Sequence, residues 1–273
     1  MKRYLGSNRA EFGLSLLVLL ALAGLLAPLI TPHSPDAISA SRVLKGPDWS
    51  HPLGSDALGR DVLSRLLFAF RTSLGVAAGS VALALVGGTA IGLLAGYFRG
   101  AADALLMRTL DMLLALPALL LAISLIAIVG SGVWVVILAI ALIYLPIFAR
   151  IVRSTVVRVS GEPYVEASRA RGASHLAVIR DHVLPNSFGP AIVQASVLAG
   201  FAFQIEAALS FLGLGVQPPT ASLGTMLYDG YQVQQQAWWA DVFPGIAIGL
   251  AVAGFLLLGD GLRAKLDPRG IAS

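Results

Sequence analysis

Six apolar runs, each long enough to cross a lipid bilayer, constrain this chain more than any other feature. They cover residues 12–30, 74–98, 112–129, 133–149, 191–212 and 242–258. At ~1.5 Å of rise per residue, each fills a good part of a hydrocarbon core ~30 Å thick. Composition agrees: charged residues are 12% of the chain, against roughly 25% in soluble domains. The reading is an all-α polytopic membrane protein with six transmembrane helices. Lys2, Arg3 and Arg9 precede the first run, as in a signal peptide. Its apolar stretch, 14–30, exceeds the roughly 7–15 residues of a signal core, and no small-x-small site follows directly. An uncleaved anchor is therefore expected.

Six spans put both termini on one side. With the termini inside, fourteen of the 19 Lys and Arg are cytoplasmic, and only Arg42, Lys45, Arg60, Arg65 and Arg71 fall outside. The positive-inside bias thus places both termini and the loop 157–190 in the cytoplasm, with 31–72 and 214–240 outside. The net charge of +4 follows from that bias and from low acid content, so it does not suggest a nucleic-acid partner. No Cys is present, which excludes disulfides, thiolate metal sites and Cys nucleophiles.

The loop between the fourth and fifth spans is the most polar insertion. Residues 162–186 read EPYVEASRARGASHLAVIRDHVLPN and carry Glu162, Glu166, Arg169, Arg171, Arg180 and Asp181. The pattern predicts two short helices with a bend at Gly172, the second ended by Leu184-Pro185. Such a hairpin is either a solvated loop or a docking element. In 31–72, Ser55 or Asp56 is expected to cap an amphipathic helix whose apolar face includes Leu63, Leu66, Leu67 and Phe70. Gly75, Gly79, Gly88, Gly92 and Gly96 in the second span, and Gly245 and Gly249 in the sixth, have the spacing of close helix contacts. Pro117 and Pro146 are expected to kink the third and fourth spans.

Catalytic chemistry is missing. There is no GxxxxGK[ST] phosphate loop and no GxSxG elbow, and His33, His51, His175 and His182 lack metal-ligand spacing. The one carboxylate deep in a span is Glu206, with Gln204 nearby. A charge at mid-span costs roughly 2.5–3.5 kcal/mol on insertion scales. Glu206 is therefore either a paired structural acid or, with Gln204, part of a translocation path. Any ATP used must be bound by another polypeptide.

The charged hairpin resembles the EAA loop of ATP-binding-cassette (ABC) import permeases: Glu-Ala-Ala, three residues, Gly, nine residues, Ile, one residue, Leu-Pro. Glu166, Ala167 and Ser168, then Gly172, then Leu184 and Pro185 stand at the matching distances; Ser168 replaces the second Ala, and His182 stands where the general pattern has Ile. The strings HPLGSDALGRDVLSRLLFAF, ALSFLGLGVQPPTASLGTML and LLGDGLRAKLDPRG are similar to those of the dipeptide/oligopeptide/nickel branch, C-type subunit. The resemblance implies a type I importer domain over 73–263, preceded by one additional span (1–31) and an extracytoplasmic segment (32–72), and followed by a cytoplasmic tail (264–273). It implies that Glu166, Ala167, Ser168, Gly172, Leu184 and Pro185 couple to ATPase subunits. The implied assembly is a second permease subunit, two cytoplasmic ATPases that use the ATP, and an extracytoplasmic substrate-binding protein, in the bacterial inner membrane. This chain itself would bind no cofactor. The cargo would be small peptides, with nickel, glutathione or another solute as alternatives; a secondary transporter or channel is the alternative class. The topology is tested by placing a single Cys at His175 in this Cys-free chain. It should resist an impermeant thiol reagent on intact cells and react once the membrane is opened; labelling in intact cells would contradict the orientation.

Overall fold

The computed structural model describes residues 2–266, and side chains from Asn8 to Ala264; the last part of the expected tail, 267–273, lies outside the described residues. Twelve α-helices follow one another: α1 Lys2–Leu25, α2 Ala27–Ile30, α3 Val62–Phe98, α4 Gly100–Leu114, α5 Ala118–Val129, α6 Val133–Val159, α7 Pro163–Ala170, α8 His175–Val178, α9 Leu184–Ser187, α10 Gly189–Phe211, α11 Leu223–Gln232 and α12 Trp239–Leu266. Five of them (α1, α3, α6, α10 and α12) are long and apolar enough to cross a membrane.

The third expected span is broken at the proline where a kink is expected. α4 and α5 meet at 91° across a short break. Pro117 sits at the N-cap of α5 with ψ 130°. Its missing N–H and its ring oppose continuation of α4. Aspartates anchor α4 to the far end of α6: Asp103 pairs with Arg153 and Asp111 with Arg150. Pro146, by contrast, is carried inside an uninterrupted α6.

α3 and α6 form the central pair, and α10 packs on both of them and on α12, while α1 lies against α12 and α3. The α3–α6 contact rests on a glycine ridge. A Cβ on Gly88 would fall 2.5 Å from Phe148 Cβ, on Gly92 2.6 Å from the Ala149 carbonyl, and on Gly96 2.9 Å from the Arg153 carbonyl. These glycines recur every fourth residue, on one face, and let the two backbones touch. Within this chain Gly245 meets only Leu227 of α11, at an ordinary 3.7 Å, and Gly249 faces open space, whereas α1 and α12 approach through Gly13 and Gly261, whose added Cβ atoms would clash with Leu258 and Ala10.

The outer segment also differs from expectation. Asp61, not Ser55 or Asp56, caps the helix, its Oδ2 accepting from the Ser64 N–H at 2.8 Å. The helix then runs unbroken for 37 residues, so the anticipated amphipathic piece is the top of the second span. Asp56 instead folds a tight loop, accepting from the N–H groups of Leu58 and Arg60 and from Arg60 Nε. A short Asp side chain that bonds nearby backbone competes with helix formation. Arg60 and Arg65 tie this loop to Asp36, Asp56 and Asp229 of α11, and Trp239 Nε1 donates to the Ser55 carbonyl at 3.1 Å. Most cations on this face are therefore neutralised within the chain.

Gly92→Leu should separate α3 from α6 and lower stability by about 1–3 kcal/mol or more. Gly75→Ala, where the added Cβ meets nothing within 4 Å, should be neutral. Thermal unfolding of the purified protein checks both.

Candidate functional site

The charged hairpin is built, not merely solvated. α7 opens with Glu162 at its N-cap position and Pro163 in its first turn, where the absent N–H costs no bond. One face buries Val165 and Ser168; Glu166, Ala167 and Ala170 are exposed on the other. The helix ends in a Schellman motif: Gly172 N–H donates to the Arg169 carbonyl (2.9 Å) and Ala173 N–H to that of Ser168 (3.2 Å). This closure requires a left-handed residue at Gly172, whose φ is +83°. Ser174 then caps α8, its Oγ accepting from the Ala177 N–H.

The second arm departs from the expected simple helix. Between α8 and α9 the chain makes a π-turn over Ile179–Val183, and Pro185 lies in the first turn of α9 rather than ending the arm. Proline lacks the N–H that an α-helix would use here, and Asn186 Nδ2 donates to the His182 carbonyl at 2.7 Å. Arg180 bonds Asp181 on the exposed side, holding that carboxyl below the usual range.

Both arms grip the end of α3. The Tyr97 hydroxyl and His175 Nδ1 share a hydrogen bond of 2.9 Å, and the Arg169 guanidinium lies 5.0 Å over the Tyr97 ring, a cation–π contact. Glu166, in contrast, is exposed and makes no ion pair among the described residues. Leu176 is 75% exposed on the second arm. The hairpin thus offers an outward surface with the unpaired carboxylate of Glu166, small residues and an apolar side chain, on a base fixed to the spans. Of the expected coupling residues, Glu166, Ala167, Gly172 and Pro185 are exposed, while Ser168 is buried and Leu184 half-buried. His175, Arg169 and Tyr97 were not singled out in the sequence as one site, because their contact joins positions 78 residues apart.

Glu206 and Gln204 do not share a face. Gln204 is exposed on α10, and Glu206 is wholly enclosed. Ser210 Oγ donates to Glu206 Oε1 at 2.8 Å and in turn accepts from the Val216 N–H. Ser73 of α3 and Ser222 at the N-terminus of α11 complete a pocket of buried hydroxyls around the acid. Gly224 brings α11 in so closely that an added Cβ would sit 2.3 Å from the Ala207 carbonyl. The string from Ala208 to Leu227 is the part of the chain that wraps this acid. In the segment 31–72, His33 and His51, distant in sequence, lie with ring centroids 4.4 Å apart, and His51 Nδ1 bonds Asp61.

The family model for the binding-protein-dependent transport system inner membrane component matches residues 88–271. The chain belongs to that family. Among curated relatives, this permease is 42% identical over 260 residues to the dipeptide transport system permease protein DppC of Alkalihalophilus pseudofirmus, covering 95% of this chain and 86% of that one. It is 42% identical over 263 residues to the di/tripeptide transport system permease protein DppC of Pseudomonas aeruginosa, covering 94% and 87%. It is 41% identical over 257 residues to the glutathione transport system permease protein GsiD of Pectobacterium atrosepticum, covering 94% and 85%. A solved inward-facing structure of the MetNI methionine ABC transporter shares the fold at TM-score 0.59 and 20% identity, over 74% of this chain and 97% of that one. Family membership displaces the secondary-transporter alternative and makes this a non-catalytic subunit.

Two substitutions probe the geometry. Gly172→Asn should be tolerated better than Gly172→Val, since the added side chain meets open space and only the left-handed backbone discriminates. Faster tryptic cleavage at Arg169 or Arg171 in the Val variant alone is the expected readout. Glu206→Ala should destabilise by about 2–4 kcal/mol through a cavity and unpaired buried hydroxyls, with Glu206→Gln closer to the parent in thermal unfolding.

Proposed function

We propose that this permease is one membrane subunit of an ATP-driven importer of di- and oligopeptides. The observation that carries the mechanism is the exposed face of α7, with its unpaired Glu166, mounted on a hairpin bonded to α3 and continuous with α10. Two ATPase subunits supply the ATP hydrolysis, and one of them takes α7 into a surface cleft where a cationic side chain meets Glu166. Ala167 permits close approach and Gly172 sets the bend. Leu184 and Pro185 lead the second arm into α10. A second permease subunit covers part of the exposed apolar surface of the spans, and an extracytoplasmic binding protein delivers the cargo to the face built from 31–72 and α11. Both termini and the hairpin are cytoplasmic, as the distribution of Lys and Arg favours.

The substrate class is supported by the names of relatives that share about two-fifths of their residues with this chain over nearly its whole length. The glutathione relative favours a second reading within the same chemistry, since glutathione is itself a tripeptide. Gln204, exposed on α10, is the better placed of the two mid-span polar residues to line the path. Enclosed Glu206 acts from behind it, holding α3, α10 and α11 together.

A partly desolvated carboxylate–cation contact is costly to break from one side, because the partner is left stranded. Glu166→Lys should therefore lower recovery of the ATPase subunits with the permease by about tenfold or more, and Glu166→Gln by less. Undiminished co-purification of Glu166→Lys would refute docking through this face. Uptake of labelled dialanine and of glutathione by cells carrying the transporter separates the two cargo readings.

A further inference from the structure

The two positions at which the hairpin departs from the general import-permease pattern touch each other. Ser168 on α7 is 6% exposed, and its Oγ shares a hydrogen bond of 3.2 Å with Nε2 of His182 on the second arm, fourteen residues away. The π-turn that contains His182 widens the helix and shifts its side-chain register relative to an α-helical course. Tyr164, one turn before Ser168, sets its ring edge-on to the imidazole at a centroid distance of 6.0 Å. His182 is thus held between two residues of α7. The only covalent link between the arms is the turn at 171–174.

We propose that Ser168 and His182 form a clasp that locks the two arms into one rigid body, so that displacement of α7 is carried into α9 and α10 rather than absorbed at Gly172. The clasp rests on the coupling role proposed above. It makes His182 a positioning residue: the imidazole touches neither nucleotide nor cargo and acts by fixing the angle at which α7 stands on the second arm. A small buried hydroxyl facing a half-buried imidazole stabilises that angle by direction as well as by contact, since either group alone would be left without its partner.

Spin labels on Cys introduced at Glu162, at the start of α7, and at Arg180, both exposed, measure the separation of the arms in the complete transporter; the chain has no other Cys. A single narrow distance distribution is expected, broadened in Ser168→Ala and in His182→Ala and narrowed again in His182→Gln, which keeps an amide in place of the imidazole nitrogen. Binding-protein-stimulated ATP hydrolysis per assembled complex should fall about three- to tenfold in each single variant. It should fall no further in the Ser168→Ala, His182→Ala double variant, because both changes remove one interaction. Unchanged distance distributions in the single variants would overturn the clasp. So would broadened distances with stimulated hydrolysis still at the parent level, or losses that multiply in the double variant. Failure of the parent chain to retain ATPase subunits would instead overturn the coupling role, while the distances would still report whether the arms are locked.

Discussion

The backbone contact between α3 and α6 is the interaction on which the remaining architecture depends. Lipid supplies little hydrophobic drive for two apolar helices to associate, so proximity of backbones and dispersion must do it. Gly88, Gly92 and Gly96 allow α6 to lie directly on α3. Much of the remaining packing uses that pair as its frame. α10 packs across both helices, α5 packs on α6, and the aspartates of α4 reach Arg150 and Arg153 toward the end of α6.

α3 gains a second role from its length. Its 37 residues extend about 55 Å at ~1.5 Å per residue, well beyond a ~30 Å core. One end carries its cap Asp61 and Arg65, which bonds the loop before it; the other carries Tyr97, held by Arg169 and His175 of the hairpin. About a third of the way along, Ser73 joins the enclosed pocket of Glu206. The helix is therefore a continuous rod joining the hairpin to the opposite face.

Much of this was legible in the sequence, and the exceptions have physical causes. The spans, the hairpin and the left-handed Gly172 follow from apolar run length and helix-stop chemistry, both local signals. Pro117 and Pro146 look alike in sequence, yet one breaks a span and the other does not, because the outcome depends on the neighbours that pack around each. The helix starts at Asp61 rather than at Ser55 or Asp56, since all three can cap and the Asp56 carboxylate is taken up by the local loop it closes with Leu58 and Arg60 and by its contact with Arg65. Glu206 was visible as an anomaly, but its serine pocket draws on α3, α10 and the start of α11 and could not be read from α10 alone. His33 with His51, and Ser168 with His182, are contacts across the fold that no periodicity encodes.

The exposed face of α7 is where this permease is proposed to meet the ATPase. Because the chain has no Cys, Glu166→Cys carries a thiol-directed photo-crosslinker at one known position in native membranes. A covalent adduct between this permease and an ATPase subunit is expected, its yield changed by ATP with vanadate. Adducts with lipid or with an extracytoplasmic protein, and none with the ATPase, would contradict it.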